Sequence, residues 1–189
     1  MKNIAVFVSG TGSNCENIIR HFRHTEVARV ALVVSSRADA YALVRAERLA
    51  VPSVVLTRAA LCDAERVLGV LRSYDVDFIV LAGFLLMVPP FLVRAYAGRM
   101  VNIHPALLPK YGGKGMYGIH VHRAVRQAGE SETGITVHWV NEEYDRGDII
   151  ARFAVAISSD DSVDDIAAKV HTLEMQHFPS VIEQVVSSL

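Results

Sequence analysis

The stretch that most restricts the fold is the opening one. Lys2 to Val8 is a β-branched, apolar run with little alternation, the pattern of a strand buried on both faces of a parallel sheet. It breaks into Ser9-Gly10-Thr11-Gly12-Ser13-Asn14, and helical spacing follows through Ile18, Ile19 and Phe22. Parallel strands need crossovers, so helix and strand must go on alternating. They do: Val27 to Val34 reads as a strand, Ala38 to Ala50 as a helix and Ser53 to Leu56 as a short strand. Ala59 to Tyr74 reads as one helix and Asp77 to Ala82 as a further apolar strand. The expected fold is α/β, a single-domain doubly wound, mostly parallel, Rossmann-like sheet. Glu132 to Val140 and Ile149 to Ile157 are expected to add an antiparallel edge hairpin. Ser162-Val163-Asp164-Asp165 reads as the cap of a last helix, which Pro179 is expected to break or kink before Val181 to Val186.

A strand, a glycine-rich turn and a helix start make an anion site, because free N–H groups and the helix dipole converge there. The plainer alternative is a tight turn with Ser13 as N-cap. A dinucleotide fingerprint needs a third glycine where Cys15 stands and an acid after the second strand, which ends in Ser35-Ser36-Arg37. A nicotinamide cofactor is therefore disfavoured, and a monophosphate fits better.

The stretch Val101-Asn102-Ile103-His104-Pro105-Ala106-Leu107-Leu108-Pro109 reads as a buried strand ended by a shaped loop. Alternation puts Asn102 and His104 on one face. An amide can donate to a developing oxyanion, an imidazolium can donate a proton, and a carboxylate can hold that ring charged. Asp145 and Asp148 both lie in a later turn, and the spacing does not choose between them. No Gly-x-Ser-x-Gly elbow supports a serine hydrolase. Phe84 to Pro90 is an apolar loop after a strand end, suited to line a groove for a flat, partly apolar ligand. Gly112 to Gly118 is glycine-rich and suited to a lid.

Net charge is −1, which argues against a nucleic-acid partner. No apolar run is long enough to span a membrane. Cys15 and Cys62 have no metal-ligand or disulfide spacing and are expected to pack as small apolar residues. His120 and His122 do not share a helix face, so no metal is expected there. A cytoplasmic protein of a single 1–189 domain is expected.

These residues carry a resemblance. Ser9-Gly10-x-Gly12-Ser13-Asn14, Leu81-Ala82-Gly83-Phe84, Asn102-x-His104-Pro105-x-Leu107-Leu108-Pro109 and Tyr144-Asp145-x-Gly147 together resemble the phosphoribosylglycinamide formyltransferase family. The match runs in register to about Pro179. The resemblance implies transfer of the formyl group of 10-formyltetrahydrofolate to the amine of glycinamide ribonucleotide, with no metal. It implies that Asn102 and His104 stabilise the tetrahedral oxyanion while Asp145 keeps His104 protonated and helps to shuttle a proton. His138 would stand close by. Gly12, Ser13 and Asn14 would bind the ribonucleotide phosphate and Glu174 the ribose. Leu85, Leu86, Met87, Val88 and Asn102 would hold the folate, with Leu86 standing where many members have Arg. It also implies small-molecule partners, a monomer or weak homodimer, and an unusual backbone before Pro109 that makes a cis Leu108–Pro109 bond worth checking.

Overall fold

The computed structural model describes residues 1–189. Seven strands form one sheet in the order β3-β2-β1-β4-β5-β6-β7. β1 (Lys2–Val8), β2 (Ala28–Ser35), β3 (Ser53–Val55), β4 (Phe78–Leu81) and β5 (Met100–His104) are parallel. β6 (Glu132–Trp139) and β7 (Ile149–Ala156) pair antiparallel at one edge, the expected hairpin.

Every side chain of β1 from Ile4 to Val8 is fully buried, which is why this strand shows no polar face. Ile4, Val6 and Val8 face a core closed by α1 (Ser13–Phe22) and α7 (Val163–Ser187), while Ala5 and Phe7 face the opposite core under α4 (Ala64–Ser73) and α5 (Pro90–Ala95). Helices on both faces make the sheet doubly wound.

Three expectations need correction. The helix expected over Ala59–Tyr74 is two, α3 (Arg58–Leu61) and α4. Asp63 lies between them in extended backbone and accepts from Arg66 N at 3.0 Å, because an N-cap side chain at a new helix start competes with continuing the old one. Cys62, which ends α3, is exposed rather than packed. Its sulfur donates only to the Arg58 carbonyl, at 3.4 Å.

The third concerns Pro179, which lies inside an unbroken α7. A proline leaves the carbonyl four residues back without its helical partner. That carbonyl belongs to Met175, and the Asn17 side-chain amide donates to it at 2.8 Å from α1. The missing bond is replaced from a neighbouring helix, and α7 continues. At its start the expected cap is present: Ser162 and Asp165 form a reciprocal capping box.

Candidate active site

β1, β4 and β5 lie side by side and end at one edge of the sheet. The order reverses between β1 and β4, the switch point where open α/β sheets bind ligands. Two cavities open there, of about 370 Å³ and about 480 Å³. Both are lined by Asn102, at the end of β5.

The smaller cavity is walled by the turn after β1. Gly12 caps α1 in left-handed backbone, φ +76°, and a Cβ there would meet Ala42 of α2 (Tyr41–Arg48). The cap is thus Gly12, not Ser13. No side chain caps the helix, which leaves first-turn N–H groups for an anion. Gly12, Ser13 and Asn14 all line this cavity, and Glu174 of α7 faces them across it. The Asn14 amide donates to Glu174 Oε2 at 2.9 Å, and His171 Nδ1 meets the same oxygen at 3.2 Å. That bond raises the His171 pKa. His122 of α6 (Ile119–Gln127) also lines the cavity, 7% exposed. Two buried polar atoms here have no protein partner, Asn14 Oδ1 and His122 Nδ1. Those are groups a polar ligand would satisfy.

Behind Asn102 stand the other residues of chemical interest: His138 and Asp145 line the larger cavity, and His104, 3% exposed, lines neither. Asn102 pairs with His138, and His104 with Thr136, across the β5–β6 ladder. The His138 ring meets its neighbour's Trp139 carbonyl through Nδ1 at 2.8 Å, so its Nε2 accepts from the Asn102 amide at 3.0 Å. The same amide reaches Asp145 Oδ1 at 3.4 Å. Asp145, not Asp148, is the acid at the site. Its Oδ2 lies 3.5 Å from His104 Nδ1 and accepts from Gly113 N at 2.9 Å. His104 Nε2 donates to the Tyr111 carbonyl at 2.7 Å. Asp145 and Tyr111, which hold the ring from two sides, both have left-handed backbone, φ +53° and +57°. Such conformations cost on the order of 1 kcal/mol and persist where surrounding structure enforces them.

Burial pushes His104 below the ordinary imidazole value, while Asp145 and the Tyr111 carbonyl pull it up. Asp145 thus favours the charged ring, as expected of it, and works against the burial that disfavours that form. Burial by itself would raise Asp145, but the His138 and His104 rings, in their charged forms, and the Gly113 N–H outweigh it and hold the carboxyl below its usual range.

The larger cavity has Leu85, Leu86, Met87 and Val88 along one wall and Asn102, His138 and Asp145 at its inner end. Ser9 starts that wall: its hydroxyl accepts from Leu85 N at 2.9 Å and bonds Ser36 at 2.6 Å. Leu85 and Met87 are each 48% exposed, while Leu86 packs partly on the core.

Several contributors were not legible in the chain. Arg58, Tyr117 and His122 line the cavities. Thr136 accepts from Leu108 N at 3.0 Å and donates to Ala106 O at 2.7 Å, which ties down the loop after His104. Its place opposite His104 in an alternating strand is the only sequence signal for it. The Leu108–Pro109 bond in that loop is cis. A Cβ on Gly147 would collide with the Trp139 carbonyl, which accounts for glycine two residues after Asp145.

The glycine turn and the amide–imidazole–carboxylate cluster lie at one sheet edge, and the formyl transferase profile matches residues 2–182, which makes the class a formyl transferase. The chain belongs to the formyl transferase family. It is similar to phosphoribosylglycinamide formyltransferase of Haemophilus influenzae, 40% identical over 188 residues that cover 97% of this chain and 86% of that protein. The chloroplastic phosphoribosylglycinamide formyltransferase of Arabidopsis thaliana is 42% identical, and the match covers 96% of this chain and 64% of that longer protein. The crystal structure of glycinamide ribonucleotide transformylase 1 from Symbiobacterium toebii has a TM-score of 0.90 at 33% identity, covering 100% of this chain and 89% of that one.

Proposed function

We propose that this chain transfers the formyl group of 10-formyltetrahydrofolate to the amine of glycinamide ribonucleotide, a step of purine biosynthesis. The observation that carries this reading is the placement of Asn102 and Asp145. Asn102 lines both cavities, and Asp145, on the wall of the larger one, reaches Asn102, His104 and His138 at 3.4, 3.5 and 3.6 Å.

The ribonucleotide lies in the smaller cavity, its phosphate on Gly12, Ser13 and Asn14 and its ribose on Glu174. The folate lies along Leu85 to Val88, a wall with the apolar side chains and free backbone groups a flat heterocycle needs. The amine then attacks the formyl carbon between them. A negative charge develops on the formyl oxygen as the new C–N bond forms. Asn102 donates to that oxygen in place of its longer bond to Asp145. Preorganised donors of this kind contribute on the order of 3 kcal/mol to a barrier. His104 faces acceptors through both ring nitrogens, and as charge develops Asp145 stabilises the imidazolium that burial disfavours. The proton lost by the amine passes by way of Asp145 to the departing folate nitrogen.

The near-neutral charge and cavities of small-molecule size support small-molecule partners rather than nucleic acid. No helix is long and apolar enough to cross a membrane. We place the protein in the cytoplasm, where the exposed thiol of Cys62 stays reduced, as one catalytic unit over residues 1–189, monomeric or weakly dimeric.

The test is incubation of the purified protein with 10-formyltetrahydrofolate, with and without glycinamide ribonucleotide, followed by mass detection of products. A formylated ribonucleotide made in stoichiometric amount with tetrahydrofolate is expected. Bound ribonucleotide without any product contradicts the proposal.

A further inference from the structure

The two cavities share Phe84, Leu85, Asn102 and Tyr117 as walls. Three of these are fixed. Asn102 is in the β5 ladder, Leu85 N is bonded to Ser9, and Phe84 packs edge-on to Phe7 with ring centroids 5.3 Å apart. Tyr117 is different. It belongs to the glycine-rich segment, flanked by Gly113, Gly115 and Gly118 at φ +97°, +89° and +52°. The residue is 47% exposed, and its ring stands edge-on to His120 at 5.2 Å. The same segment holds the chemistry, because the Tyr111 carbonyl takes the His104 N–H and the Gly113 N–H meets Asp145. Tyr117 thus borders both cavities on a backbone segment anchored to both His104 and Asp145.

We propose that Tyr117 is a positioning residue whose ring covers the junction of the two cavities and keeps water from the formyl carbon. The inference rests on the substrate placement given above. A formyl donor in this site can be attacked by the amine or by water. In transfer, the amine N–C bond forms, the folate N–C bond breaks, and the amine proton ends on the folate nitrogen. In hydrolysis, water supplies the oxygen of the new C–O bond, the same folate N–C bond breaks, the folate nitrogen gains a proton, and formate leaves with release of the other. The two attacks differ only in what reaches the carbon, so an apolar cover at the junction favours transfer.

The test compares wild type, Tyr117→Ala and Tyr117→Phe, with formate and formylated ribonucleotide measured in the same reactions. Wild-type transfer establishes the substrate assignment, so the partition between products tests Tyr117 alone. Tyr117→Ala is expected to raise formate released per transfer on the order of tenfold, with KM increased for both substrates. Tyr117→Phe is expected to keep the wild-type ratio, since the ring remains. An unchanged ratio in Tyr117→Ala overturns the inference, whatever happens to either KM. So does a Tyr117→Phe protein as leaky as the alanine variant, because the hydroxyl and not the ring would then be responsible.

Discussion

Nδ1 of His104 lies 3.5 Å from the carboxylate of Asp145, and the other nitrogen of the same ring donates to a main-chain carbonyl at 2.7 Å. Both ring nitrogens therefore face acceptors in a site that is itself buried, with the His104 side chain 4% exposed. Burial disfavours the imidazolium while the two oxygens favour it. Burial is the larger influence, and the ring stays below its ordinary value.

An NMR titration of His104 tests this balance. The ring is expected to titrate below the ordinary 6.5 in wild type, and lower still in Asp145→Asn, where the opposing carboxylate charge is gone. A variant ring that titrates at or above the wild-type value would show that Asp145 does not offset burial.

Stability should carry the same signature through a second ring. Burial depresses His122 as well as His104. Unfolded imidazole titrates near 6.5, so from there down to the folded values the unfolded chain binds more protons and stability rises with pH. The contribution is complete above about 6.5 and is lost as pH falls through the folded values. His171 is raised by Glu174 and runs the other way, contributing below the unfolded value and losing it as pH rises through the folded one. The His171 window lies above about 6.5, so below it only the depressed rings act, and the urea midpoint is expected to drop as pH goes from about 6.5 to 5.5, less steeply in His122→Asn. The full wild-type slope in that variant would remove His122 from the account.

The helix around Pro179 offers a double-mutant cycle. Asn17→Ala leaves the Met175 carbonyl without a donor and should cost about 1 kcal/mol in denaturant unfolding. In a Pro179→Ala background a backbone N–H is again available at position 179, and the cost should shrink to a few tenths. Equal costs in both backgrounds would mean that Asn17 does not compensate for the proline.

The sheet was legible because buried parallel strands need unbroken apolar runs, and Lys2–Val8 and Phe78–Leu81 have little other use. The placing of Asn102 and His104 on one face of their strand was legible because the strand period is two. What escaped depends on partners distant in the chain. Pro179 reads as a break until Asn17 is seen beside it, 158 residues from Met175. Asp63 reads as one more helix residue until its side chain meets Arg66 N. Thr136, Tyr111 and Gly113 hold the loop and the acid–base pair through single atoms that no periodicity marks. The choice of Asp145 over Asp148 was likewise a matter of where a turn folds back, which resemblance supplied and spacing did not.

We propose that Asp145 serves the formyl-transfer step. The most direct test is the steady-state rate of formyl transfer by Asp145→Asn, with both substrates varied. The amide keeps the shape of the side chain and can still accept from Gly113 N, so both KM values should stay within about threefold while kcat falls on the order of 10²-fold or more. A variant that turns over at the wild-type rate would contradict the account.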